Sequence, residues 1–428
     1  MVIFSLRFQK ANLGDQLKIA VIGLGKLGLP FALLLAHAGH KVNGLDLSQS
    51  RLLQIKENNL EPEPEVANLV ATVDSKNFQV SHEWKTVLAE TEVSFIVVPT
   101  PSDSSGMFTN KYLVEALREI GKSANFLASR HAVCVVSTVM PGSCDNELSE
   151  ALFGQISRTE DREKISLTYS PEFIALGSIV RNMKFPDLIL LGEKDEWAGN
   201  LVLNATSSIC QNDPFIERMS CASAEITKIS INTYVTSKIS YANMIAEIAD
   251  KTTDANKFQI LDAIGRDSRI GSKYLRPGLG FGGPCFPRDN RALATYASNL
   301  GVNASMAYAT QEINLRQPEV WVDRIESRLT SIGTGKRILL LGMSYKPGSF
   351  VIEESQAISI TSKLAERGYV VSAHDPLADL DGPLSGNGIE ILSELPAHNE
   401  FDLVVKLVDW ENYRDYVAKV PDNKLMQV

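Results

Sequence analysis

Residues 17–28, LKIAVIGLGKLG, constrain the fold of this 428-residue chain more than any other stretch. A short apolar, β-branched run leads straight into Gly23-Leu-Gly25-Lys-Leu-Gly28, and the helical pattern LPFALLLAHAG follows. Strand, glycine turn and helix in that order open a dinucleotide-binding βαβ unit. Gly23 makes the turn, Gly25 lets a pyrophosphate approach the helix N-terminus, and Gly28 permits close helix-to-strand packing, with Leu27 in the same turn. The next strand, HKVNGLD, ends in Asp46. Its carboxylate suits the ribose hydroxyls of NAD and would repel the 2′-phosphate of NADP, so NAD is the expected cofactor. Arg51 is open to three readings: a phosphate contact, a stack on adenine or a place in solvent.

The runs VSFIVVPTP (93–101), AVCVVSTVMPG (132–142), ISLTYSPEF (165–173) and DLILLGE (187–193) continue a parallel sheet. Ligands of open α/β sheets bind beyond the carboxyl ends of strands, which aims Thr100, Thr138 and Glu172 at one crevice, Thr100 and Thr138 towards the cofactor. Each reads equally well as a cap or turn residue when taken singly. From Ala222 to about Asp250 there is no proline or glycine, and apolar residues recur at helical spacing. One long helix is expected, with Lys228 and Asn232 a turn apart on one face. A second helical region ends near Gln317, and the α/β pattern restarts at KRILLLGMSYKPG (336–348), where Lys346 is suited to a phosphate. The expected fold is therefore α/β, two Rossmann-like doubly wound domains joined by a long central helix and a helical dimerisation region. The expected bounds are 1–205, 206–318 and 319–428.

Composition removes several function classes. A net charge of −9 argues against nucleic-acid binding, which rests on neutralising phosphates. No apolar run reaches the length of a membrane span, and MVIFSLRFQKANLGDQ lacks a leader core. The five cysteines are odd in number and form no C-x-x-C pair, against both a disulfide framework and a zinc site. Free thiols fit the cytoplasm. An anionic substrate would then need a local basic patch, which RDSRIGSKYLRPG supplies. Immediately after it, GLGFGGPCFPRD (278–289) forms neither stable helix nor strand and lets a ligand approach its backbone. Cys285 in this loop reads either as a small buried hydrophobe or as a reactive thiol.

The ordered set GLGKLG, VPTP, STVMPGS, SPEF, Lys-x-x-x-Asn, RIG, FGGPCFPRD and LGMSYKP resembles the UDP-glucose/GDP-mannose dehydrogenase family of nucleotide-sugar 6-dehydrogenases, from about Leu17 onward. The resemblance implies a four-electron oxidation of a sugar C6 alcohol to a carboxylate, UDP-glucose to UDP-glucuronate in the first instance, serving polysaccharide biosynthesis. The alcohol becomes an aldehyde, the Cys285 thiolate adds to it, a second hydride leaves a thioester, and water releases the acid, with two NAD reduced per sugar. It implies that Asp289 organises water or a proton, and that Lys228 and Asn232 stabilise the developing oxyanion against the substrate. Thr138 and Glu172 would serve hydrolysis. Phe173, Ile174, Tyr274, Leu275, Phe281 and Gly282 would line the substrate pocket, Arg276 and Lys346 would take the pyrophosphate, and Arg269 would reach the neighbouring subunit's substrate in a homodimer built on the long helix.

GDP-mannose and a UDP-N-acetylhexosamine are alternative substrates. A single-hydride β-hydroxyacid dehydrogenase is an alternative enzyme, but it needs no cysteine. Three residues depart from the family pattern: Leu176 where a second acid is usual, Glu353 where an arginine is usual, and Pro284 directly before the cysteine.

Overall fold

The computed structural model describes residues 16–428 apart from 62, 334 and 385–387. Residues 1–15, the opening of the first expected domain and most of the stretch read as lacking a leader, lie outside the described residues. The chain divides into two units, one running through Ser104 and over Phe108–Lys228, the other comprising Ser105–Met107 and Ile229–Val428.

In the first unit, strands β1 (Lys18–Ile22), β2 (Lys41–Leu45), β3 (Phe78–Ser81), β4 (Val93–Ile96), β5 (His131–Val135), β6 (Ile165–Tyr169), β7 (Leu188–Gly192) and β8 (Phe215–Met219) form one sheet. Their spatial order is β3-β2-β1-β4-β5-β6-β7-β8, and the pairs are parallel except for β6 against β7. Strand order therefore reverses between β1 and β4, the place where such sheets open a crevice. Alternation along β1 explains why the run is continuously apolar: Ile19 and Val21 belong to the core on one face, Ala20 and Ile22 to the core on the other. Helix α1 (Gly28–His37) is buried from Gly28 through Ala36, as its nearly all-apolar sequence requires.

Helix α2 (Cys221–Asp250) begins in the first unit, and the division between units falls after Lys228. In the second unit follow α3 (Phe286–Asn299), α4 (Ser305–Ile332) and a parallel five-stranded sheet. Its strands are β9 (Arg337–Leu341), β10 (Val370–His374), β11 (Glu390–Ile391), β12 (Leu403–Lys406) and β13 (Leu425–Gln427), in the order β11-β10-β9-β12-β13.

The structure corrects the expected end of the second helical region. Helix α4 does not stop near Gln317 but continues through Pro318 to Ile332. A proline inside a helix costs about 3 kcal/mol. Beyond it, Trp321, Val322, Ile325 and Leu329 are all buried in the core of the smaller sheet, and each such burial contributes about 1.5–3 kcal/mol. Packing outweighs the breaker. The expected boundary at 318 thus falls inside α4, and the one at 205 falls inside the helix Glu196–Ser208.

Candidate active site

The glycine turn after β1 fits a dinucleotide on its own geometry. Gly23 has φ +92°, and a Cβ there would collide with Val97 O; a Cβ on Gly28 would collide with Gly23 O. A Cβ on Gly25 would meet nothing within 4 Å, so the space a pyrophosphate needs lies above that residue. No side chain caps α1, whose N-cap is Leu27 and whose first turn holds no acid. Leu29 N already donates to Gly25 O at 3.2 Å and Pro30 has no N–H, so it is the very start of α1 that offers its N–H groups to an anion. Asp46 accepts from Leu24 N at 2.8 Å and from Ser48 N at 2.9 Å. Each carboxylate oxygen keeps a further lone pair for a ribose hydroxyl. Arg51 braces the same turn, its Nε donating to Leu24 O at 2.8 Å.

Thr100 and Thr138, beyond β4 and β5, are brought together: the Thr100 hydroxyl donates to Thr138 O at 2.8 Å. Beyond β6, Lys228 is 5% exposed. Its ammonium donates to Glu172 O at 2.7 Å and lies 4.2 Å from the centre of the Phe173 ring. A carbonyl and an aromatic face thereby replace part of the hydration of a buried charge. The Glu172 side chain is half-buried by exposed surface yet enclosed by enough protein that lost hydration pushes its carboxyl up to about 7, with the Lys228 charge pulling the other way. Ile174 and Leu176 pack against the first unit's core.

Two carboxylates in this region escaped the sequence reading. Glu225, fully buried one turn before Lys228, accepts from Gly142 N and Cys144 N and so holds the segment after Thr138. Glu63 accepts from Gly177 N at 2.8 Å and Ile179 N at 3.1 Å, holding the segment after Glu172 that contains Leu176. An acid three residues before Lys228, on the same helix, was a readable signal. For Glu63 none existed, because its partners lie more than a hundred positions away.

In the second unit Cys285 is the N-cap residue of α3 and is exposed. The residue stands at the positive end of the helix dipole, the end that favours negative charge. Burial pushes the thiols of Cys134 and Cys210 up to about 12, and a hydrogen bond with Cys221, followed by burial, raises that of Cys144. One turn on, Asp289 is 1% exposed and accepts from Asn232 Nδ2 at 2.6 Å and from Arg288 at 3.2 Å. The half-buried amide of Asn232 thus has a partner. At the departure Glu353, the backbone carbonyl accepts from Gly283 N at 3.0 Å while the side chain is exposed. The charge beside it, Glu354, pairs with Arg291 at 2.9 Å. Phe281 and Gly282 are buried, and a Cβ on Gly282 would collide with Glu354 O.

Of the remaining sequence candidates, Leu275 and Arg276 line a cavity of about 240 Å³ together with Phe258, Leu261, Asp262 and Pro277. Tyr274, with φ +64°, is exposed beside it. Arg269 is exposed, and in its own chain it grips Asp267 through Nε at 3.0 Å and Nη2 at 2.7 Å. Lys346 lies in the loop after β9, its ammonium 5.9 Å from the Tyr345 ring centre. Among the described residues no group of three or more His, Cys, Asp or Glu could hold a metal ion, and no helix is long and apolar enough to cross a membrane.

Models of the UDP-glucose/GDP-mannose dehydrogenase family match in sequence: its NAD binding domain over residues 17–207, its central domain over 222–316 and its UDP binding domain over 339–426. The chain belongs to this family. It is an NAD-dependent oxidoreductase of the nucleotide-sugar 6-dehydrogenase class. A putative UDP-glucose 6-dehydrogenase of Bacillus subtilis is 30% identical over 93% of this chain and 90% of its own. The solved UDP-glucose dehydrogenase of Pyrobaculum islandicum superposes with a TM-score of 0.84 at 28% identity, covering 93% of this chain and 91% of the other. The GDP-mannose dehydrogenase of Pseudomonas aeruginosa gives a TM-score of 0.55 at 27% identity, with 96% of each chain covered.

Proposed function

We propose that this family member oxidises the C6 alcohol of UDP-glucose to the carboxylate of UDP-glucuronate through a thioester on Cys285. The observation that carries the reading is the single exposed thiol among five cysteines, set at a helix N-terminus one turn from the buried Asp289, which is paired with Asn232. NAD, when bound at the glycine turn, accepts the hydride in each oxidation. The C6 alcohol loses a proton and a hydride to give the aldehyde; the Cys285 thiolate adds to the aldehyde carbon; loss of a second hydride gives the thioester. Water then attacks the thioester carbon and expels the thiolate, yielding the acid. Lys228 and Asn232, a turn apart on α2, stabilise the oxyanion that forms at each addition. Glu172, with its carboxyl near 7, takes the proton of the attacking water beside Thr138, and Asp289 keeps Asn232 oriented.

The loop FGGPCFPRD speaks for a UDP-glucose or GDP-mannose substrate over an N-acetylhexosamine, and UDP-glucose is favoured by the description of the third family domain and by the better superposition on a UDP-glucose dehydrogenase. NADH counted against sugar consumed, across UDP-glucose, GDP-mannose and UDP-N-acetylhexosamines, tests the proposal. Two NADH per UDP-glucose is the expected result; one NADH with a released carbonyl product sinks the thioester.

The proposal extends to a cytoplasmic homodimer packed on the exposed Tyr234, Tyr241 and Ile248 of α2, with Arg269 released from Asp267 to meet the partner's substrate. Mixing Arg269→Ala with Cys285→Ser chains should then restore activity from two nearly inactive parents. A mixed dimer has one site with both groups intact. Proven mixed dimers without recovery would confine Arg269 to its own chain.

A further inference from the structure

The backbone that leads into Cys285 belongs to no helix or strand, and two of the three residues between Phe281 and Cys285 are glycines. Such a segment has little means of holding its own conformation. It is held instead by side chains remote in sequence. Gly278 N donates to Asn243 Oδ1 at 2.8 Å, and Gly278 O accepts from Trp321 Nε1 at 3.0 Å. Phe281 is gripped on both sides of its peptide chain by one residue: its N–H donates to Asn314 Oδ1 at 2.8 Å, and its carbonyl accepts from Asn314 Nδ2 at 2.9 Å. The same carbonyl accepts from Gln356 Nε2 at 3.2 Å. Asn314 is 3% exposed on α4 and pairs with the loop as a neighbouring strand would. A Cβ on Gly280, which has φ +112°, would come within 2.5 Å of Asn314 Oδ1. The glycine is what lets the amide reach Phe281.

We propose that Asn314 is a positioning residue for the second oxidation: by fixing Phe281 it aims Cys285 at the aldehyde. The proposal rests on the thioester reading above. A purely structural asparagine would affect both oxidations alike, whereas a residue acting through Cys285 affects only the step that needs the thiolate. Misplacing a nucleophile by about 1 Å can cost about a hundredfold in rate.

The test uses the full chain carrying Asn314→Ala, rapid mixing with NAD and UDP-glucose to resolve the first and second equivalents of NADH, and hydrogen exchange of the peptide spanning 279–286. Loss of protection in that peptide is expected, together with a second equivalent slowed by roughly tenfold to a hundredfold and a first slowed less than about threefold. Equal slowing of both, or lost protection with both rates unchanged, overturns the proposal. If Asn314→Ala does not fold, Gln356→Met, which keeps the side-chain length and removes the donor to Phe281 O, must show the same ordering with a smaller effect. Cys285→Ser run in parallel separates the two ideas. A second equivalent retained in that variant sinks the thioester itself, while a second equivalent lost there but unchanged in Asn314→Ala sinks only the role of Asn314.

Discussion

The glycine turn after β1 and the glycine loop before α3 look alike in sequence and are built on opposite plans. The first carries most of its constraints within itself: Gly28 packs on Gly23, and Asp46 and Arg51 close the turn around Leu24, while Val97, beyond β4, is the distant residue that crowds Gly23. The second is held by Asn243, Asn314, Trp321, Glu353 and Gln356, drawn from three later elements and one earlier one. A turn of the first kind announces itself to any reader of the sequence. A loop of the second kind shows only that it cannot stand alone.

The largest effect tests what the second loop exists to present. Cys285→Ser should abolish acid formation, because a serine ester is hard to form from the aldehyde and hard to hydrolyse, a loss on the order of a thousandfold or more. Product analysis by anion exchange reads it directly. Wild-type turnover would remove the chemical difference between the two loops. Next in size is cofactor choice, which belongs to the first turn. Asp46 should disfavour NADP by a few kcal/mol, on the order of a hundredfold in affinity. Comparable kcat/KM for NAD and NADP would mean that Arg51 overrides it.

A smaller effect separates two glycines of one motif. Gly28→Ala drives a Cβ into Gly23 O and should lower stability by about 1–3 kcal/mol or more, seen as a fall in Tm. Gly25→Ala points into empty space and should leave Tm nearly unchanged while weakening NAD binding, measured by calorimetry. If both variants lose stability equally, the turn is not divided between packing and ligand as its geometry indicates.

This contrast explains what could be read in advance. The strand–turn–helix opening, the long helix from residue 221 to 250 and the restart near 336 are periodicity and glycine chemistry, which are local and therefore legible. The continuation of α4 past Pro318 was not, because it depends on the apolar face that Trp321 to Leu329 bury on a sheet formed later in the chain. The candidate site divides in the same way. Lys228 and Asn232 could be placed on one helical face by counting, and Asn232 could be seen to need a partner. That the partner is Asp289, and that Glu63, Glu225 and Asn314 hold the neighbouring segments, are contacts across long stretches of chain.

The smallest effect carries the comparison from backbone to charge. Asp46, like the turn it closes, works through local hydrogen bonds, whereas the proton on Glu172 is governed by the protein packed around it and by Lys228 from a distant helix. If Glu172 is the base for hydrolysis, only its carboxylate form works, so release of acid should fall as pH drops below about 7, approaching tenfold per pH unit well below it. Glu172→Gln should remove that limb along with most of the hydrolysis. The same group makes a prediction about stability with the opposite sense. The folded carboxyl keeps its proton up to about 7 where an exposed one releases it near 4.5, so the folded state holds the extra proton in that window and stability is lost as pH rises through it. Denaturant midpoints measured from pH 4.5 to 7.5 should therefore decline with pH more steeply in the native chain than in Glu172→Gln. Parallel declines would show that Glu172 ionises as an exposed carboxylate does, and would leave the low-pH limb of the reaction to another group.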